Sequence, residues 1–359
     1  MQIWVIHVTM AKKPGGYLMK LTNDQIRAIT TGAVEFEETE DYLLPHRYTA
    51  AQRDFFLYSD IRHDRCTTAT GICFHFDTDS TTLTLDVECL YNHVRAYFSF
   101  EVYANDQLVG YLDNFSDIEV PEQCYYCPEL AERPTMYRQT FSLGKGPKRV
   151  RVIFPWSKMV HIRSVELDDG AYVTPVKRAK TLITHGDSIT HGWEAPRPSQ
   201  RYAAMLADFL GADEYCKAMG GEVYCPDLAD CPDPFVPDYI SVAYGANDWC
   251  LKTYEEEVVA IRGFYENLVK HYPQTPIFVI TPIWRVDHEE EHEFGEFIKM
   301  EETICQIAAD FPQIQVIRGY DLVPHHTKYF VDELVHPTPE GFAHYGKNLC
   351  AQLKLLLNK

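Results

Sequence analysis

The chain has 359 residues, more than one ordinary hydrophobic core accommodates, so two domains are expected. Apolar residues make up 46% and charged residues 24%, the balance of a globular protein, and 52 acidic against 33 basic residues give a net charge of -19. That field repels nucleic-acid phosphates and anionic lipid head groups, which sets both aside as partners and favours neutral or cationic substrates.

At the N-terminus, the apolar stretch Ile3 to Met10 is short and interrupted by His7, with no basic region before it and no small-residue cleavage site after it. It reads as neither a signal peptide nor a membrane span, and Met10 or Met19 would serve as an alternative start. Eleven cysteines, an odd number scattered through both halves, fit reduced thiols in a cytoplasmic protein better than a disulfide framework. Cys124 and Cys127 form a C-x-x-C, but no second pair or histidine at zinc spacing accompanies them.

From Gly32 to Val176 the texture is strand-like. TLTLDVE (82–88) alternates with period two, and YFSFEVYANDQLVGYL (97–112) reads as two strands around an Asn105-Asp106 turn. RQTFSLGKGPKRVRVIFP (138–155) reads as a second hairpin around Gly144-Lys145-Gly146, VHIRSVEL (160–167) is a further strand, and no helix is predicted among them. Short strands with regular turns imply an antiparallel, jelly-roll-like sandwich. Tyr125, Tyr126 and Trp156 are candidate sugar platforms in this half, which would make a glycan-binding module; as core or edge aromatics they need no such role.

After Val176 the pattern changes, and the boundary falls in TPVKRAKT (174–181), giving domains 1–178 and 179–359. Apolar runs TLIT (181–184), EYCKA (214–218), YISVAY (239–244), IFVIT (277–281) and IQVIRG (314–319) alternate with helices predicted near 199–210, 254–271, 296–310 and 339–357. In the second of these helices Val258, Ile261, Tyr265 and Leu268 fall three or four apart. Such alternation implies βαβ units, an α/β fold and a five-stranded parallel sheet with helices on both faces. Chemistry in such a sheet sits beyond the carboxyl ends of the strands.

The residues at those ends are the parts acyl transfer needs. His185-Gly186-Asp187-Ser188 follows TLIT, Met219-Gly220-Gly221-Glu222 follows EYCKA, and Gly245-Ala246-Asn247-Asp248 follows YISVAY. Asp332-Glu333-Leu334-Val335-His336-Pro337 precedes the last helix. A serine hydroxyl attacks only when a base takes its proton; His336 can do so, oriented by a carboxylate just before it. The Ser188 and Gly221 N–H groups and the Asn247 amide are suitable donors for an oxyanion. Taken singly, each piece has an ordinary reading as a cap, a turn or loop packing.

Together, GDSIT (186–190), the glycine of MGGE (219–222), GAND (245–248) and HP (336–337) resemble the SGNH hydrolases of the GDSL esterase/lipase superfamily over residues 179–359. The resemblance implies Ser188 as nucleophile, His336 as base, Gly221 and Asn247 as oxyanion donors, a three-layer α/β/α sandwich and no cofactor or metal. With the β-rich half in front, the layout resembles two-domain members such as family 2 carbohydrate esterases. The pattern departs at the acid: Glu333 has the usual spacing of three before the histidine, Asp332 the usual side chain at four, and a dyad aided by a backbone carbonyl is a third arrangement. Cys216 stands where an asparagine is common, a structural difference.

A rival motif is His288-Glu289-Glu290-Glu291-His292, an H-E-x-x-H pattern of zinc proteases. Its surroundings lack an apolar stripe, which favours a solvated acidic segment, and no metal is expected there. Asp187, Trp284 and Arg285 are candidate substrate-pocket residues, while His185 and His191 read as local packing. The expected function is a serine esterase removing short acyl groups, acetyl first, from a carbohydrate or small molecule, with a thioesterase or acyltransferase as the alternative. A homo-oligomer is compatible with the sequence.

Overall fold

The computed structural model describes residues 18–118, 130 and 132–357. The stretch 3–10, the Cys124 and Cys127 pair, and Tyr125 and Tyr126 lie outside the described residues.

The first half carries β1 (Leu18–Lys20), β2 (Thr30–Thr31), β3 (Glu35–Glu38), β4 (Leu43–His46), β5 (Cys73–Thr78), β6 (Thr82–Tyr91) and β7 (Ser99–Ala104). It continues with β8 (Gln107–Asp113), β9 (Met136–Ser142), β10 (Lys148–Ile153), β11 (Lys158–Asp168) and β12 (Thr174–Pro175). They form two six-stranded sheets, β3-β4-β11-β6-β9 with β1 on β11, and β12-β5-β10-β7-β8 with β2 on β5. Every pairing in them is antiparallel. The period-two patterns explain the sandwich: Leu83, Leu85, Val160 and Ile162 of one sheet meet Phe74, Phe76, Val102 and Val150 of the other in one buried core.

Two expectations for this half need correction. The β7–β8 hairpin forms, with Asn105 (φ 49°) and Asp106 (φ 61°) both left-handed in its turn. The second hairpin does not: β9 pairs with β6, whereas β10 pairs with β5 and β7, so the Gly144–Gly146 turn carries the chain from one sheet to the other. A local turn signal is the same for either outcome; which neighbour completes the ladder depends on strands far away in sequence. The strand-like reading of 32–176 also needs correction: α1 (Asn23–Ile29) precedes that stretch, but α2 (Ala50–Phe55) and α3 (Asp60–Cys66) fall inside it, ahead of the quoted strands. The last two are too short to show a 3.6-residue period, although Thr49 and Gln52 form a reciprocal cap that is visible as T-x-x-Q.

The second half is built on β13 (Lys180–Gly186), β14 (Ala212–Cys216), β15 (Tyr239–Ala243), β16 (Ile277–Ile280) and β17 (Ile314–Ile317). These five strands are parallel in the order β14-β13-β15-β16-β17. Its helices are α4 (Ser188–His191), α5 (Tyr202–Leu210), α6 (Pro226–Ala229), α7 (Asp248–Leu251), α8 (Tyr254–His271), α9 (Ile298–Ala308) and α10 (Pro339–Leu357). Ile240, Val242, Ile277 and Val279 pack on α8 and α9, while Leu182, Phe278 and Ile280 pack on α5 and α10. Alternate residues of each strand therefore face opposite helical layers, as the apolar runs require. Residues 198–200 form a 3-10 turn before α5, which starts at Tyr202 rather than Ser199. Among the described residues no helix is long and apolar enough to cross a membrane.

The halves meet across a buried polar seam. Arg47, fully buried, donates from Nη1 to the carbonyls of Cys216 (3.1 Å) and Ala218 (2.6 Å), and from Nε and Nη2 to those of Thr68 and Arg65 (both 3.0 Å). Tyr48 donates to Lys217 O at 2.6 Å, and buried Lys217 pairs with Asp233 at 2.5 Å. Arg47→Met would strand several buried carbonyls and is expected to lower the free energy of urea unfolding by about 3–5 kcal/mol. A loss below about 1 kcal/mol would show the seam to be solvated rather than structural.

Candidate active site

β13 runs straight into the site. Its last residue, Gly186, is followed by Asp187, which caps α4 by accepting the Ile189 N–H at 2.9 Å. Ser188 begins α4, and its Oγ lies 2.7 Å from His336 Nε2. His336 Nδ1 lies 2.6 Å from Asp332 Oδ2. The structure therefore joins Ser188, His336 and Asp332, and Glu333 is not part of that array.

The reason lies in the turn. Glu333 adopts a left-handed conformation (φ 54°) and its side chain is exposed, while the chain curls around the Asp332 carboxylate. Asp332 Oδ1 accepts the N–H groups of Leu334 (3.0 Å), Val335 (2.8 Å) and His336 (3.0 Å). Burial alone would raise this carboxyl, but the hydrogen bond and charge of His336 and the N–H groups of Val335 and His336 hold it well below the usual carboxylate range. A bridge between Phe330 and Pro337 closes the loop, and Val286 N donates to Leu334 O at 2.9 Å.

The second wall is the segment after β14. Gly221 has φ 82°, a conformation that glycine adopts without strain, and a Cβ on Gly220 would meet the Trp193 ring at 2.4 Å. The Gly220 N–H donates to His191 Nδ1 at 3.2 Å, and Glu222 N–H to Met219 O at 3.1 Å. The N–H groups of Ser188 and Gly221 have no acceptor among the described residues. Asn247 Nδ2 donates one hydrogen to Glu222 O at 2.9 Å, which fixes the amide and leaves its second hydrogen unspent. Asp248 holds the turn around it by accepting the N–H groups of Tyr224 (2.8 Å) and Gly245 (2.9 Å).

Other candidates take supporting places. Arg285 is buried, forks onto Asp287 and donates to Ala246 O at 2.7 Å, so it braces the Asn247 turn instead of presenting its charge to a substrate. Trp284 is buried and stacks on His325, with Phe330 alongside. His185 lies buried against Phe264, its pKa lowered to about 3 by burial and by Lys217, so the ring is neutral. His191 does more than fill space. Burial and the neighbouring arginines keep it neutral, so Nδ1 accepts from Gly220 while Nε2 donates to Trp156 O at 2.9 Å. Trp156 is buried with its indole N–H on Ala195 O (2.7 Å), which removes it as a sugar platform. The His288–His292 segment is a series of turns, not a helix; His288 Nδ1 contacts Arg285 O and the His292 ring abuts Trp249. The two-histidine helix face of the zinc reading is not formed.

The sequence reading missed the contributions of the β-rich half. Arg62 and Arg65 on α3 donate to the carbonyls of Gly221 and Gly220, each at 2.9 Å. Arg65 and Arg95 lie over the Trp193 ring at 5.1 and 4.2 Å, and Trp193 stacks on His336 at 5.7 Å. Arg62 and Arg65 share a helix face, but no sequence signal ties them to a loop more than 150 residues away; only Trp193, five residues after Ser188, was within reach of inspection. The net charge of -19 does not describe this site, which is rimmed by guanidinium groups.

Residues 184–344 match the model of the GDSL-like Lipase/Acylhydrolase family. Similar solved structures share the two-domain layout. They include the salicylyl-acyltransferase SsfX3 from a tetracycline biosynthetic pathway (TM-score 0.78, 17% identity, 96% of this chain and 98% of that one). A putative GDSL-like lipase from Bacteroides ovatus matches at 0.72 and 15% identity over 96% and 98%. A family two carbohydrate esterase from Cellvibrio japonicus matches at 0.64 and 14% over 96% and 98%. At these identities the likeness is one of fold. No curated protein matches the chain.

Asp187 yields a pH prediction. Burial pushes its carboxyl up to about 7, because one N–H bond and the more distant His336 and Arg285 offset the loss of water only in part. A carboxyl raised above its unfolded value contributes stability that is complete below pH 4 and is lost as pH rises through about 7. Asp187→Asn keeps the cap and cannot ionise. It is expected to match wild type in urea unfolding near pH 4 and to exceed it by about 2–4 kcal/mol at pH 8. Equal pH dependence of the two proteins would refute the assignment.

Proposed function

We propose that the protein is a serine esterase that works through an acyl-enzyme. The observation that carries this reading is the continuous array from Ser188 Oγ to His336 Nε2 (2.7 Å) and from His336 Nδ1 to Asp332 (2.6 Å). His336 takes the hydroxyl proton as Ser188 attacks the ester carbonyl, and ionised Asp332 stabilises the resulting imidazolium. The oxyanion is received by the Ser188 N–H, the Gly221 N–H and the free hydrogen of Asn247. His336 then protonates the departing alkoxide, activates a water to attack the acyl-enzyme, and returns its proton to Ser188 as the acid leaves.

A short acyl group on a carbohydrate or small molecule is the proposed substrate, supported by the likeness to a family two carbohydrate esterase. The likeness to SsfX3 favours a second reading, in which an acceptor other than water takes the acyl group. The nine described cysteines are all free thiols, which supports placing the protein in a reducing compartment.

Hydrolysis of p-nitrophenyl acetate, butyrate and octanoate tests the main reading. Acetate should turn over fastest and be indifferent to a chelator, and Ser188→Ala should lower kcat by about 10³-fold or more. Activity that persists in Ser188→Ala would overturn the mechanism. Asp332→Asn should cost about 10²–10⁴ in kcat, whereas Glu333→Gln should stay within about twofold of wild type. An alcohol acceptor added to the assay that captures most of the acyl group would favour the transferase.

A further inference from the structure

We infer that Arg65 of the β-rich half is a positioning residue for ester cleavage, acting through the peptide group that supplies the Gly221 N–H; this rests on the serine-esterase reading above. The Gly220 carbonyl and the Gly221 N–H belong to one peptide unit. Arg65 Nη1 donates to that carbonyl at 2.9 Å. Because the amide is conjugated, a cationic donor on its oxygen draws electron density from nitrogen and makes the N–H a stronger donor. Of the three N–H groups in the turn, Gly220 and Glu222 are spent on His191 and Met219, so the polarised Gly221 N–H is the one available to an oxyanion.

The guanidinium is held for this task. Arg65 Nε donates to His93 O at 2.9 Å, and the group lies over Trp193, whose ring stacks on His336. Arg65 Nη1 comes within 3.4 Å of where a Cβ on Gly221 would stand. Among the described residues no carboxylate pairs with Arg65, so its charge is not cancelled locally. Arg62 provides the contrast. It donates to the Gly221 carbonyl, in the peptide whose N–H is turned back onto Met219, and it is neutralised by Glu222 at 2.9 Å. Both arginines brace the same turn, but only Arg65 polarises the peptide that faces the site.

The test compares Arg65→Met, Arg65→Lys and Arg62→Met with wild type, using steady-state hydrolysis of p-nitrophenyl acetate and the rate at which a fluorophosphonate labels Ser188, read by intact mass. The phosphonyl oxygen occupies the oxyanion position, so labelling reports the same donors without turnover. Arg65→Met should lower kcat and the labelling rate together by about 10–100-fold with KM within about threefold, less than deleting a donor outright. Arg65→Lys, which can still reach the carbonyl, should recover part of the loss, and Arg62→Met should fall about tenfold less than Arg65→Met. A rate within twofold of wild type in Arg65→Met, or equal losses in the two methionine variants, would overturn the inference and leave the esterase intact. A wild-type protein that neither hydrolyses the ester nor takes the label would overturn the esterase reading, and this inference with it.

Discussion

The segment from Lys217 to Glu222 has no regular structure of its own, and its shape is imposed by cations from the other half of the chain. Arg47 grips the carbonyls of Cys216 and Ala218, Arg65 that of Gly220 and Arg62 that of Gly221. Buried carbonyls need partners, and a guanidinium supplies up to five donors in a rigid fork. The same contacts that join the two halves therefore also hold the peptide that carries the Gly221 N–H. The first half thus shapes this segment, because removing it would take away the four arginine bonds and the bond from Tyr48 to Lys217 O.

Two carboxyl groups flank Ser188 and His336, and their surroundings drive them apart. Asp332 collects three backbone N–H groups and the imidazole, and stays ionised. Asp187 sits deeper with a single N–H and is pushed up to about 7. Identical chemistry thus yields a charged group beside His336 and a largely neutral one next to Ser188 at mildly acidic pH. Around them stand Arg62, paired with Glu222, Arg95, paired with Glu194, and Arg65, so the overall charge of -19 does not describe the scale of the site.

Much of the fold was legible because it depends on short-range periodicity. The runs 181–184, 239–244, 277–281 and 314–319 each became a strand of the parallel sheet, and the helices at 254–271 and 339–357 have the bounds their apolar spacing implied. The order of GDSIT, MGGE, GAND and HP placed Ser188, Gly221, Asn247 and His336 at one end of the sheet, since loops after parallel strands must gather there. The helices at 50–55 and 60–66 escaped because two turns carry too little periodicity to read. The misread hairpin at 138–155 escaped for another reason: its turn is local, but its strands find their partners in different sheets.

By itself the sequence determined the alternation of strands and helices, the parallel sheet and the end of that sheet at which Ser188 and His336 stand, because each rests on residue type and spacing within a few turns of chain. Tertiary structure decided between Asp332 and Glu333, because the left-handed turn at Glu333 carries its side chain to solvent whatever the count from His336. It also decided the places of Arg62 and Arg65, which reach the site only when α3 docks on a loop that no pattern links to it. Spacing is written along the chain; contact between distant segments is settled by which surfaces can bury each other's polar groups.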